Sequence, residues 1–316
     1  MTKIQIPYGY KLIDIDIEGK LLVPGDSKSK NQLKGFDVER IRHALQNPIG
    51  TKKLREIVDR KRDAKIVIVV DDHTREAPTE KTLDAIIEEI GEKYKERITL
   101  LVACGTHTPP TEEDLQRILG KHYQQFNLEI HDCDAKDLVF VGTTSRGTPV
   151  MLNRSYVEAD VKILTGDITL HYYAGFGGGR KSILPGISSR ETIQRNHALL
   201  LDDRAKTANI EGNPVHLDMT EAASFALPDF VINTVADSSG NLVDAYAGEM
   251  NSVLLMGAEV MKKLSSLETD LFDVLVVSAG GFPKDRNLYQ ATKAIENCYR
   301  VVVPGGTLIL VAECRE

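Results

Sequence analysis

The chain contains no tryptophan and only four cysteines in 316 residues. Cys104, Cys133, Cys298 and Cys314 are far apart and form no C-x-x-C pair, which argues against a disulfide framework and a thiolate zinc site. That thiol usage fits a reducing cytoplasm. Positive charge is not in excess either: the formal net charge is −7 at pH 7. With no arginine–aromatic cluster and no DNA-binding motif, a nucleic-acid partner is excluded. No apolar run approaches the ~20 residues that span a bilayer, and Met1 to Tyr8 lack a signal-peptide core, so no membrane partner is expected. Internal repeats and low-complexity segments are absent as well. What remains is a soluble cytoplasmic protein, long enough to bury a large core divided between two domains.

What the sequence does have is a rhythm of strand and helix patterns. Residues 4–23 alternate apolar and polar side chains, predicting strands exposed on one face. Helical patterns occupy 38–47 and 51–62. Lys65 to Val70 is a β-branched run of the kind buried on both faces, and it ends abruptly in Asp71-Asp72-His73-Thr74-Arg75. A helix over 79–94, a strand at Ile98 to Ala103 and a loop through His107 to Pro110 come next. Thr111 then caps a helix over 112–119 that stops at Gly120. Strands are predicted at 127–132, 138–142 and 161–168. Ser188-Ser189-Arg190-Glu191 reads as a capping box for a helix over 189–201. A helix near 214–225, a hairpin around Ser238-Ser239-Gly240-Asn241 and a helix at 251–265 follow. Leu271 to Val277 opens a fresh αβ unit that runs through Gly280-Gly281, a helix and a strand at 305–311. This alternation predicts an α/β protein of two domains with largely parallel sheets, and an active site in the crevice between them. The first domain is expected over 1–266 and the beginning of a second over 267–316.

The richest stretch is Leu170 to Gly186, with five glycines in the twelve residues from Gly175 to Gly186. Such a backbone needs positive φ angles or close approach of a ligand. A phosphate-binding P-loop is the nearest generic motif, but Arg180 stands where its last glycine should be and Pro185 interrupts its helix. The bland alternative is a tight turn with a solvated Arg180–Lys181 pair. Ligands of open α/β sheets sit beyond the carboxyl ends of the strands, which gathers Asp72, Arg75, His107, His171 and Lys181 near one crevice. Asp71 and Asp72 can bind a cation or orient a polar ligand. Arg75 offers a planar fork for carboxylate or phosphate, unless it merely pairs with Asp72 across the turn. His107 and His171 can serve as acid and base, or be ordinary loop histidines. His197 is either a metal ligand or a satisfied core histidine. His43, His73, His122, His131 and His216 show only a surface or core pattern. Gln290 and Lys293, three apart, share a helix face that can equally be solvated.

Taken together, Asp71-Asp72-His73-Thr74-Arg75 with Pro78, Gly105-Thr106-His107, His171 through Gly186, His197, and Gly280-Gly281 through Lys293 resemble a known family in order and over nearly the whole chain. It is that of the nickel-pincer lactate racemases and related 2-hydroxy-acid racemases and epimerases. The resemblance implies nickel held in a pyridinium-3-thioamide-5-thiocarboxylic acid mononucleotide, the nickel-pincer nucleotide, covalently attached at Lys181. It implies His197 as the nickel ligand and His107 and His171 as the acid/base pair. Arg75, Gln290 and Lys293 would surround the substrate, while Asp72, Thr74, Gly177, Gly178 and Gly179 would shape the cofactor pocket. The implied reaction is racemisation of a small-molecule 2-hydroxy acid, lactate by default, by reversible hydride transfer through a 2-keto acid, and cofactor-synthesis proteins are the implied partners. Two departures stand out. Thr108 follows His107 where many members carry arginine, and the chain ends at Glu316, before the usual end of the family, so the second domain is expected to be only partly present. The competing readings are a phosphate-binding NTPase or kinase that uses the glycine loop, and a non-catalytic binding fragment.

Overall fold

Residues 2–22, 37–61, 63–237, 240–266 and 269–316 are described by the computed structural model. The amino-terminal alternation forms a hairpin of β1 (Thr2–Tyr8) and β2 (Lys11–Ile17), with Ile4 opposite Ile15 and Ile6 opposite Ile13. Position 23 of the predicted strand region lies outside the described residues. Two helices follow, α1 (Asp37–Gln46) and α2 (Leu54–Asp59). The second is shorter than the predicted 51–62 because Lys53 is extended, with ψ 143°; position 62 lies outside the described residues. The β-branched run becomes β3 (Ile66–Asp71), followed by α3 (Thr79–Ile90), which stops at Gly91 with φ +94°. The predicted continuation to 94 is instead a 3-10 turn. β4 (Ile98–Ala103) leads to α4 (Glu112–Leu119), whose capping box between Thr111 and Asp114 and stop at Gly120 bear out the predicted ends.

β5 (Asn127–Ile130) is followed by a hairpin of β6 (Val139–Thr143) and β7 (Pro149–Leu152), then α5 (Arg154–Val157) and β8 (Val161–Asp167). A two-residue pairing, β9 (Leu170–His171) with β10 (Gly175–Phe176), holds the start of the glycine loop. α6 (Arg190–His197) is capped by Ser189, which accepts from Thr192 N at 3.2 Å, rather than by a Ser188–Glu191 box. Ser188 donates instead to Ile183 O at 2.7 Å. Beyond α7 (Pro214–Ser224), β11 (Phe230–Ala236) pairs antiparallel with β12 (Leu242–Gly248). Of the predicted hairpin turn between them, Ser238 and Ser239 lie outside the described residues. α8 (Met250–Ser265), β13 (Phe272–Ser278), α9 (Leu288–Cys298) and β14 (Val302–Val311) complete the order, with β13 and β14 parallel.

The central sheet runs β12-β11-β8-β3-β4-β5 and is parallel except for β12 at its edge. Because side chains alternate across a strand, β3 feeds two cores at once. Ile66, Ile68 and Val70 pack with α1, α3 and α4 on one face, while Val67 and Val69 pack with Tyr156, Ile193 and Met219 on the other. The chain builds β3, β4 and β5 outward, then returns to lay β8 on the other side of β3. That reversal makes the β3/β8 boundary the switch point, beside whose strand carboxyl ends ligands of open α/β sheets bind.

The chain divides into two compact units, Lys28–Leu264, and Met1–Ser27 together with Ser265–Glu316. The amino-terminal hairpin, expected in the first domain, thus belongs with the carboxyl-terminal residues. The cause is a buried carboxylate: Asp285, 1% exposed, accepts Gly9 N at 2.7 Å and Glu313 N at 3.1 Å. Phe282 N donates to Gly9 O at 2.9 Å and Ser278 Oγ to Pro7 O at 2.9 Å, closing the same seam. Among the described residues, no helix is long and apolar enough to cross a membrane. Replacing Asp285 with alanine leaves the Gly9 amide without its acceptor. Amide exchange across β1 and β2 should then quicken by roughly 10- to 100-fold, or ~1.4–2.8 kcal/mol. Unchanged protection in hydrogen-exchange mass spectrometry would show that this carboxylate does not hold the hairpin.

Candidate active site

β3 delivers Asp72 one residue past its end, in a turn closed by Arg75 N donating to Asp72 O at 3.2 Å. The residue is 3% exposed. Its Oδ1 accepts from Thr74 N at 3.0 Å and Thr74 Oγ1 at 2.6 Å, and its Oδ2 lies 2.6 Å from His107 Nδ1. His107 arrives from the neighbouring strand β4, on a turn in which its N donates to Cys104 O at 2.8 Å. Burial alone would raise the Asp72 pKa, but the hydrogen bonds from His107 and Thr74 outweigh it and hold the carboxyl below its ordinary value. The result is a carboxylate–imidazole dyad. Asp72 and Thr74, expected to shape the cofactor pocket, direct these bonds to each other and to His107. Arg75 is exposed and makes no ion pair among the described residues, so the pairing with Asp72 considered above does not form.

Across the switch point, β8 feeds the β9/β10 pairing that carries His171. Its Nδ1 accepts from Ala174 N at 3.2 Å, and its ring stacks on Tyr172 and meets the edge of Tyr173 at 4.5 Å. The glycine loop folds around Arg180, which is fully buried instead of solvated. Its guanidinium donates to Ala174 O at 2.9 Å and Gly178 O at 3.1 Å, and burial pushes its pKa down to about 9. The glycines answer to the fold itself. A Cβ on Gly177 would meet Thr169 Oγ1 at 2.8 Å, and one on Gly178 would meet Ile168 Cγ1 at 2.8 Å. Gly179 N, which a phosphate cradle would leave open, donates to Asn233 Oδ1 at 2.8 Å. The loop then runs into a four-residue 3-10 turn, Gly179–Ser182, and not into the long helix of a P-loop.

Lys181 sits in that turn, with part of its side chain exposed. Its pKa lies well below the usual lysine value: burial is the main cause, the nearby Arg75 and Arg180 cations add to it, and Asp167 and Asp71 oppose it. Burial raises the pKa of both Asp71 and Asp167, which face the same spot from the ends of β3 and β8. His197, the last residue of α6, meets the Tyr173 ring edge-on at 5.1 Å, and its Nδ1 is buried with no hydrogen-bond partner. Burial, and any charge on Lys181, push its pKa down to about 4. A neutral imidazole with an unpaired buried nitrogen suits a metal ligand, and a desolvated amine suits a covalent tether. The donor set therefore fits the implied group. Gln290 and Lys293 lie in the other unit, on α9, where Lys293 Nζ donates to Gln290 Oε1 at 2.6 Å.

Sequence reasoning passed over Asn233, Asp167 and Tyr173 as site residues. Asn233 had a signal: it is a fully buried polar residue within the apolar run of β11, and such a residue must find a partner.

The family described as "Lactate racemase N-terminal domain" matches residues 8–208, and "Lactate racemase C-terminal domain" matches residues 267–316. Curated lactate racemases from Thermoanaerobacterium thermosaccharolyticum and Lactiplantibacillus plantarum are 35% and 34% identical over 326 residues. Each alignment covers 100% of this chain and 75% or 76% of the relative. The lactate racemase apoprotein structure from T. thermosaccharolyticum superposes with a TM-score of 0.89 at 33% identity, covering 98% of this chain and 74% of that one. A Thermotoga maritima protein shares the fold at a TM-score of 0.63 and 21% identity, over 79% of this chain and 65% of its own. The chain belongs to the lactate racemase family, and is an isomerase of the racemase class.

Proposed function

We propose that the chain racemises a 2-hydroxy acid, lactate first among them, by reversible hydride transfer at Cα, with a nickel-pincer nucleotide attached to Lys181 and nickel bound by His197. The observation that carries this reading is the state of Lys181. An amine whose proton affinity burial lowers well below the ordinary lysine value is a better nucleophile, and here it lies beside His197, whose imidazole pKa burial pushes down to about 4. When bound, the group supplies a hydride acceptor through which the substrate Cα becomes the planar centre of a 2-keto acid.

The chain's own residues manage charge and protons around that centre. The Arg75 guanidinium, which makes no ion pair among the described residues, presents two parallel donors to a substrate carboxylate. His107, backed by Asp72, takes up the hydroxyl proton as the carbonyl forms. His171 serves the hydroxyl when the substrate presents its opposite face. Asn233 and Arg180 fix the glycine loop, and with it the backbone that carries Lys181. Attachment of the nucleotide requires cofactor-synthesis proteins as partners.

Two outcomes test this. Protein co-expressed with the synthesis proteins should carry a mass adduct on the Lys181 peptide and bind nickel, and Lys181→Ala should lose both. An actively racemising protein whose Lys181 is unmodified would rule out the tether. Arg75→Lys keeps the charge but loses the fork, and kcat/KM for racemisation should fall by roughly 10- to 100-fold, ~1.4–2.8 kcal/mol. An unchanged value removes Arg75 from carboxylate binding.

A further inference from the structure

We infer, on the reading proposed above, that the two histidines rest in opposite tautomers, with Asp72 setting that of His107, so that the resting protein offers one base and one hydrogen-bond donor and is primed for one enantiomer. The case rests on which partners can donate. Asp72 is a buried carboxylate, and both its oxygens only accept. Oδ1 is occupied by two donors, Thr74 N at 3.0 Å and Thr74 Oγ1 at 2.6 Å. Oδ2 lies 2.6 Å from His107 Nδ1, and two acceptors at that distance repel unless a proton lies between them. His107 Nδ1 therefore carries the proton, and Nε2 of the neutral ring keeps its lone pair.

At His171 the order is reversed. A backbone N–H only donates, and Ala174 N approaches His171 Nδ1 at 3.2 Å. Nδ1 is the acceptor here, so the neutral ring carries its proton on Nε2. The two rings also differ in what a second N–H would meet. At His107 the new charge sits against the Asp72 carboxylate. At His171 the new Nδ1–H would oppose the Ala174 N–H, and that bond must break first.

The proton path follows from this difference. For the enantiomer whose hydroxyl meets His107, the substrate O–H bond breaks and an N–H bond forms at Nε2 as the carbonyl forms; the group that Lys181 and His197 would hold would take up the Cα hydrogen with its electron pair. Nothing in the resting pair has to rearrange. The other enantiomer meets a ring that already has a proton on Nε2, and must wait for His171 to turn or to release Ala174. Asp72 is thus a positioning residue that acts through His107.

An Asp72→Asn substitution separates this role from simple support. Thr74 supplies two donors at Oδ1, so the asparagine oxygen stays there and the new amide nitrogen faces His107 Nδ1 as a donor. The His107 proton must then move to Nε2, leaving both rings as donors and neither as a base. In a serine protease triad the same change leaves the geometry intact and lowers turnover about 10⁴-fold through the wrong tautomer. Here racemisation should fall by about three to four orders of magnitude while the Lys181 adduct is retained.

The deciding measurement needs neither cofactor nor turnover. Nitrogen-15 histidine spectra of the apoprotein, above the pH range of imidazole titration, should show His107 protonated on Nδ1 and His171 on Nε2. Asp72→Asn should move the His107 proton to Nε2 and leave His171 unchanged. Matching tautomers in the unmutated protein, or no change on substitution, overturn the inference whatever the activity. In cofactor-loaded protein, quenched single turnovers with each pure enantiomer should yield keto acid at unequal rates, and equal rates overturn the priming. A loaded protein that racemises no 2-hydroxy acid overturns the proposed reaction, a result distinguishable from either tautomer result.

Discussion

The parallel pairing of β3 with β8, Ile66 beside Val161 through Val69 beside Leu164, is the constraint on which the site depends. These strands are far apart in sequence and become neighbours only because the chain reverses direction after β5. Each ends in a carboxylate, Asp71 and Asp167, and each is followed by a loop that carries chemistry. The pairing brings the Asp72 turn beside the glycine loop, and the β3–β4 pairing brings His107 to Asp72. Side chains from separate parts of the chain meet because their backbones are already hydrogen-bonded in one sheet.

The electrostatics follow from that convergence. Arg75, Arg180 and Lys181 are crowded at one end of the sheet, opposed by Asp71 and Asp167, with Arg180 fully buried and Arg75 at the surface. Arg180 is the fixed cation, because a guanidinium keeps its proton even when burial lowers its pKa to about 9. Lys181 is the group that can yield, its pKa lowered well below the ordinary lysine value by burial first and then by the two neighbouring cations. The loop depends on the same residue twice over. The guanidinium closes the turn through Ala174 and Gly178, and its charge helps to strip the proton from its neighbour.

Much of the fold was legible in the residues. The β-branched run at 65–70, the Thr111 cap and the glycine stop at 120 state their roles locally, because strand burial and helix ends depend on near neighbours, whereas the stop at Gly91 is passed over by a pattern that carries the helix on to 94. The residues of the dyad could also be named, since each follows directly on a buried strand. Three features were out of reach for one reason. The inward turn of Arg180, the bond from Gly179 N to Asn233 and the tie from Gly9 to Asp285 join positions whose proximity arises only in the folded chain. An Arg-Lys pair in a glycine-rich loop looks solvated until the carbonyls that receive the guanidinium are in place. The family resemblance named Lys181 and His197 together, but the cause of their altered proton affinity is burial, which spacing along the chain does not reveal.

The tie between Gly9 and Asp285 also sets an order of events during synthesis. The unit at 28–264 is continuous, so every contact it needs has emerged before the chain reaches its end. The hairpin formed by the first residues has to wait for a partner 276 positions downstream. At roughly 5–20 residues per second, that wait lasts on the order of 15 to 55 seconds on the ribosome. Through that interval β1 and β2 form only a two-stranded ribbon, which is marginally stable in water on its own. The polar residues Lys3, Gln5, Asp14 and Asp16, alternating with the isoleucines of this ribbon, keep one of its faces soluble while the other waits.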